Sequence, residues 1–198
     1  MSIWVKICGL TTEEGVTAAV QAGADAIGFV FAPSKRQVTA HEAKRLASLA
    51  PRLLKRVAVM LHPSQAQLDE VCEVFAPDVL QTDAEDLLTL RVPSHLALMP
   101  VFRDASELPT SIPARLLFEG AVSGAGLTAD WSRAASWASR TQIVLAGGLN
   151  GSNVVTAIRS VRPFGVDVSS GVERAPGVKD ANKISEFVQA ARVAAEQL

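Results

Sequence analysis

Trp4-Val5-Lys6-Ile7-Cys8-Gly9-Leu10-Thr11-Thr12-Glu13-Glu14-Gly15-Val16-Thr17-Ala18-Ala19-Val20-Gln21-Ala22-Gly23-Ala24-Asp25-Ala26-Ile27-Gly28-Phe29-Val30-Phe31 is the stretch that decides the fold. A short apolar run, Trp4–Cys8, leads into an amphipathic segment, Glu13–Ala22, and then into a second apolar run, Ala26–Phe31. Runs of this length and composition suit strands buried on both faces, as in a parallel sheet. Thr11 or Thr12 can cap the intervening helix, and Glu13 and Glu14 suit its positive end. The unit is strand–helix–strand.

Working outward, the pattern repeats. Further strands are expected at Arg56–Leu61, Val79–Gln81, Ala97–Phe102, Arg115–Glu119, Ile143–Ala146 and Gly165–Val168. Helices are expected at Ala40–Leu49, Ser64–Phe75, Glu85–Leu90, Trp131–Ser139, Ser152–Ser160 and Asp180–Glu196. The fifth connection, Asp104–Pro113, carries Pro109 and Pro113, so its helix is short or missing. Strict alternation through eight strands predicts an α/β fold, a single-domain (β/α)8 TIM barrel over 1–198. At 198 residues it is compact for a fold that typically takes about 250.

Composition excludes several classes. Nineteen Lys and Arg against twenty Asp and Glu leave a net charge of −1, which excludes a strongly basic nucleic-acid binder. Cys8 and Cys72 form no disulfide framework and no zinc spacing, and His41, His62 and His95 are scattered, so no metal site is expected. Cys72, in an amphipathic helix, is core. The N-terminal residues do not form a signal peptide, and no apolar run approaches the ~18 residues a spanning helix needs. The expectation is a cytoplasmic protein, monomer or homodimer, with neither nucleic acid nor membrane as partner.

In this barrel the chemistry sits at the C-terminal ends of the strands. Cys8 ends the first strand. Lys6 lies two residues earlier on the same face, where a buried ammonium would favour the thiolate; with Arg36 and Asp167 it is a candidate substrate-binding residue. Gly147 and Gly148, with Ser169, Ser170 and Gly171, form small-residue loops after the seventh and eighth strands, the common phosphate site of the fold. Glu119 ends the sixth strand after Leu116-Leu117-Phe118. Asp167 sits between Val166 and Val168; an ion pair with Lys6 is its simplest explanation, because an unpaired carboxylate there is costly. Arg36 can take a carboxylate through two parallel hydrogen bonds, or be a solvated loop residue. Glu85 and Asp86 suit a helix start.

Several motifs together carry a family resemblance. Val5-Lys6-Ile7-Cys8-Gly9-Leu10-Thr11 opens the chain. Gly23-Ala24-Asp25-Ala26-Ile27-Gly28-Phe29-Val30-Phe31 and Ser34-Lys35-Arg36 come next. Ala146-Gly147-Gly148-Leu149-Asn150, Gly165-Val166-Asp167-Val168-Ser169-Ser170-Gly171-Val172-Glu173 and Pro176-Gly177-Val178-Lys179-Asp180 complete the set. The chain resembles the phosphoribosylanthranilate isomerase family of tryptophan biosynthesis over its whole length.

The resemblance implies an Amadori rearrangement of a small phosphosugar, N-(5-phosphoribosyl)anthranilate, to 1-(2-carboxyphenylamino)-1-deoxyribulose 5-phosphate, with no metal or cofactor. It implies Cys8 as general base, Glu119 as general acid, Arg36 as holder of the anthranilate carboxylate, the two late loops as the phosphate site and Asp167 as a lining residue. Three stretches depart from the family's usual pattern. Gln81-Thr82-Asp83-Ala84 stands for Gln-Leu-His-Gly, Phe118-Glu119 for Leu-Asp, and Gly126-Leu127-Thr128-Ala129-Asp130-Trp131 for Gly-Lys-x-Phe-Asp-Trp. The competing readings are a phosphosugar-binding barrel of the same family that has lost catalysis, and another phosphosugar barrel enzyme such as an epimerase.

Overall fold

The structure, a computed structural model, describes residues 3–104, 106, 107, 109, 111–120 and 129–198. Eight parallel strands close into a barrel in sequence order: β1 (Trp4–Cys8), β2 (Ala26–Val30), β3 (Lys55–Val59), β4 (Val79–Asp83), β5 (Ala97–Arg103), β6 (Arg115–Glu119), β7 (Gln142–Leu145) and β8 (Gly165–Val168). Outside it lie α1 (Glu13–Gln21), α2 (Ala40–Ala47), α3 (Gln65–Val74), α4 (Trp131–Ala138), α5 (Val154–Val161) and α6 (Ala181–Glu196). None of the described helices is long and apolar enough to cross a membrane.

Helix starts follow local chemistry. Thr12, rather than Thr11, caps α1 by accepting from the Gly15 N–H at 3.1 Å. Thr39 and Ser64 form reciprocal capping boxes with Glu42 and Gln67. Asp130 and Asp180 each accept two N–H groups at the starts of α4 and α6.

Strand alternation sorts the core into two clusters. Outward-facing residues such as Ile7, Phe29, Leu80, Phe118 and Val166 pack under the helices. Ala26, Val57, Met99, Val101, Leu117, Val144 and Ala146 form a second cluster that fills the barrel. Trp4 and Phe164 plug its lower end, with the Arg115 guanidinium 4.0 Å from the Phe164 ring centre.

Two connections differ from the outline. The helix expected at Glu85–Leu90 is a single 3-10 turn, Asp86–Leu88. Leu88 is 85% exposed, while Leu87 and Leu90 pack partly buried against the core. The Asp86 carboxylate is also committed elsewhere, accepting from the Thr82 hydroxyl at 2.5 Å and the His62 N–H at 3.1 Å. Between β5 and β6 no helix occurs among the described residues, as the two prolines imply. After β8 the chain adds a feature that periodicity did not announce: a 3-10 turn, Ser170–Val172, and a small antiparallel hairpin, β9 (Glu173–Ala175) and β10 (Val178–Lys179).

The hairpin is pinned on both sides of its turn. The Thr11 hydroxyl donates to the Gly177 carbonyl at 2.8 Å. Gly177 adopts φ +82°, and a Cβ there would meet the Lys35 carbonyl oxygen at 2.6 Å. The loop after β1 thus holds the hairpin turn, and the loop after β2 packs closely against it.

Candidate active site

The register of the closing strands builds the base of the site. Lys6 pairs opposite Asp167 across β1 and β8, and Cys8 opposite Gly28 across β1 and β2. Lys6 Nζ donates to Asp167 Oδ1 at 2.9 Å, 161 residues away. Lys6 is completely buried and does not line the cavity above it. An ammonium without water survives only against a counter-charge. Burial depresses its pKa, but Asp167 and Cys8 outweigh burial and leave it raised.

Cys8 sits just above. The Lys6 ammonium favours its thiolate, as the sequence implied, with Lys179 acting in the same direction. Burial is the larger effect, so the Cys8 pKa is raised. The ammonium's influence is real but does not outweigh burial.

Arg36 is not a solvated loop residue. Its Nε and Nη2 donate to Glu173 Oε1 and Oε2 at 2.7 and 2.9 Å. Lys179 Nζ donates to the same Glu173 Oε1 at 2.9 Å, and also to the Ser169 carbonyl at 2.9 Å and hydroxyl at 3.3 Å. Burial pushes the Glu173 carboxyl up, but these two cations pull it down to about 2. Burial lowers the Lys179 ammonium, and Glu173 only partly restores it. Glu173 and Lys179 lie inside the quoted motifs, yet nothing in the sequence joins a loop-two arginine to a carboxylate 137 residues later.

The two late loops lie side by side. Gly147 and Gly148 adopt φ +83° and +63°, and their N–H groups make no hydrogen bond among the described residues. The Gly148 carbonyl is held instead by Asn153 Nδ2 at 2.9 Å. Gly171 fits against this loop so closely that a Cβ would lie 1.9 Å from the Leu149 carbonyl oxygen. Gly171 thus supports the neighbouring loop rather than lining the cavity.

Across the mouth, a chain of charges joins three strands. Arg103, at the end of β5, donates through Nη2 to Asp83 Oδ1 at 2.8 Å, and its Nε lies 3.4 Å from Glu119 Oε1. The hydrogen bond to Asp83 is the main reason the Arg103 pKa is raised. His62 Nε2 stands 3.7 Å from Asp83 Oδ2, and its Nδ1 is 2.8 Å from Asp86. His62 holds a left-handed backbone, φ +46°, which the Asp86 carboxylate steadies by taking both its N–H and its ring nitrogen. Hydrogen bonding to Asp86 raises the His62 pKa. Position 83 has lost the family's histidine, yet an imidazole stands beside it, delivered from the end of β3. His62 and Arg103 stand at strand ends in the sequence, but nothing there pairs them with Asp86 and Asp83.

One cavity of about 240 Å³ gathers these groups. Cys8, Arg36, Asp167, Gly147, Gly148, Ser169 and Ser170 line one side, and Asp83, Arg103 and Glu119 the other. Met60, Leu61, Val101 and Leu149 supply apolar wall. A charged small molecule with an apolar portion suits such a lining. Among the described residues, no group of three or more His, Cys, Asp or Glu is placed to hold a metal ion. Of the altered sixth loop, residues 126–128 lie outside the described residues; Asp130 survives as the cap of α4.

Comparison with known proteins agrees with this geometry. The family model described as N-(5'phosphoribosyl)anthranilate (PRA) isomerase matches residues 5–190. An N-(5'-phosphoribosyl)anthranilate isomerase of Streptococcus pneumoniae is 44% identical over 188 residues, covering 93% of this chain and 94% of the relative. The crystal structure of phosphoribosyl anthranilate isomerase from Thermotoga maritima superposes with a TM-score of 0.83 at 30% identity, covering 96% of this chain and 99% of that one. A second such crystal structure, in complex with reduced 1-(o-carboxyphenylamino)-1-deoxyribulose 5-phosphate, has a TM-score of 0.80, also at 30% identity and with the same coverage. Motifs, barrel and relatives agree, and the chain belongs to the N-(5'-phosphoribosyl)anthranilate isomerase family.

Proposed function

We infer that the chain is an active isomerase, converting N-(5-phosphoribosyl)anthranilate to 1-(2-carboxyphenylamino)-1-deoxyribulose 5-phosphate in cytoplasmic tryptophan biosynthesis, with Cys8 as base and Glu119 as acid. The observation that carries this reading is the single cavity, with a thiol and a carboxyl on opposing strands. Glu119 protonates the furanose ring oxygen and the ring opens to a Schiff base. Cys8, as thiolate, then takes the proton from ribose C2, and the enolamine tautomerises to the aminoketose.

The other groups bind and orient. The substrate phosphate sits on the Gly147-Gly148 and Ser169-Ser170 loops, where backbone N–H groups and small residues admit an anion. Arg36 takes the anthranilate carboxylate. Asp167 lines the floor and keeps Lys6 charged beneath Cys8. Every one of these residues comes from one barrel domain, so monomer and homodimer both leave the site intact.

The test is a direct assay of the purified chain with N-(5-phosphoribosyl)anthranilate. Turnover that Cys8→Ser and Glu119→Gln each remove supports the reading. Tight binding of the reduced product without any turnover would instead make the chain a binding barrel.

A further inference from the structure

The Arg36–Glu173 bond deepens the isomerase reading, resting on Arg36 as the carboxylate-binding group. A guanidinium has two useful edges: a side edge, Nε with Nη2, and an end edge, Nη1 with Nη2. Glu173 takes the side edge with both oxygens. The end edge meets no partner among the described residues, while Arg36 lines the cavity. Arg36 and Lys179 are two cations facing one carboxylate, so one positive charge is left over for a ligand.

Glu173 itself does not line the cavity. Its side chain is almost fully buried, and Lys179 fixes its second role by tying it to Ser169 of the anion loop. The hairpin pinned by Thr11 and Lys35 supplies both Glu173 and Lys179. The arginine is thereby held before substrate arrives, which spares the entropy of ordering a long side chain on binding.

We propose that Glu173 is a positioning residue for substrate selectivity: by fixing the side edge of Arg36, it presents the end edge to the substrate's carboxylate. The enzyme then distinguishes an aminosugar phosphate bearing an ortho-carboxylate from one bearing a plain phenyl ring.

The experiment compares two ligands, the reduced product 1-(o-carboxyphenylamino)-1-deoxyribulose 5-phosphate and its descarboxy counterpart made from aniline. Dissociation constants are measured by calorimetry for the wild type, Glu173→Gln, Glu173→Asp and Arg36→Met. A charge-assisted bidentate contact corresponds to a carboxylate preference of at least about tenfold in the wild type. Glu173→Gln keeps one acceptor oxygen, loses the charge, and puts an amide nitrogen, which cannot accept, against one of the two Arg36 donors. It should lose most of that preference, bind the descarboxy ligand as the wild type does, and raise KM more than it lowers kcat. Glu173→Asp should restore part of the preference, and it carries the test alone if the glutamine variant does not fold. A wild-type preference in the Glu173 variants, or equal weakening of both ligands, overturns the proposal and leaves Glu173 as a structural residue. If Arg36→Met keeps the preference, the reading of Arg36 itself fails. If Arg36→Met loses it and the Glu173 variants do not, only the positioning role falls.

Discussion

The two walls of the mouth are built by different means. On the β8–β1–β2 side, backbone does much of the work: positive-φ glycines, a 3-10 turn and a pinned hairpin, with buried ion pairs beneath. On the β4–β5–β6 side, long charged side chains reach across strand ends, from Asp83 to Arg103 to Glu119. No α-helix follows β4, and none occurs among the described residues after β5. A wall made of backbone contacts and buried ion pairs tolerates few replacements, since each atom is fixed by neighbours. A wall made of partly exposed side chains can be rebuilt with other residues if charge and reach are kept. The departures from the family pattern fall on the second wall: aspartate at 83, glutamate at 119, and the loop after β6.

The strongest way to break this contrast is at the base. Cys8→Ser should fold normally and lose about 10³ in kcat, because a serine hydroxyl is a far poorer base than a thiolate. Burial raises the Cys8 pKa, and the proposed mechanism uses the thiolate. kcat/KM should therefore rise with pH into the alkaline range in the wild type. Near wild-type turnover in the serine variant would move the base elsewhere.

Next in size is the acid. Glu119→Gln should cost on the order of 10² or more in kcat with a smaller change in KM, and Glu119→Asp should retain part of the activity. Asp83→Asn should stay within about tenfold, since one Asp83 oxygen is taken up by Arg103. A severe Asp83→Asn beside a mild Glu119→Gln would transfer the acid to the loop after β4, and the rebuilt wall would have changed its chemistry as well as its parts.

A smaller effect sharpens the backbone side. Gly171→Ala places a Cβ against the Leu149 carbonyl and should destabilise the fold by about 1–3 kcal/mol. Inorganic sulfate should compete with substrate in the wild type and compete less well in this variant. Unchanged sulfate inhibition, with the loops shifted, would place the anion elsewhere.

The smallest effect is one of acid stability. Glu173 is held at about 2, below its ordinary 4.5, so its contribution is fully present above pH 4.5 and is lost as the pH falls toward 2. Glu173→Gln should flatten that part of the stability–pH curve in chemical denaturation. A curve identical to the wild type would mean that the carboxylate is not tied to its two cations in solution.

Strands were legible because a parallel barrel buries both faces, and Val, Ile and Leu runs announce it without needing partners. Boundaries shifted by a residue or two, as where β4 runs on through Thr82 and Asp83 into the site. The Glu85–Leu90 helix failed because Asp86, which looked like a helix-start acid, is spent on Thr82 and His62. The Lys6–Asp167 pair could be foreseen, since closing a barrel puts the first strand beside the last. The Arg36–Glu173–Lys179 cluster could not. Its hairpin strands are three and two residues long, too short for any periodicity, and its partners meet only through the loops that pin them.

The Lys6–Asp167 bridge also orders events in time. Lys6 is made well before its counter-ion, which arrives 161 residues later. Until β8 docks, β1 has an open edge and an ammonium that prefers water to the barrel interior. A chain halted on the ribosome before Asp167 has every reason to keep that end of the ring unsealed, and thus within reach of proteases. Asp167, Ser169, Ser170 and Glu173 emerge close together, so the bond that seals the ring and one of the two loops proposed to hold the anion come into being in one step.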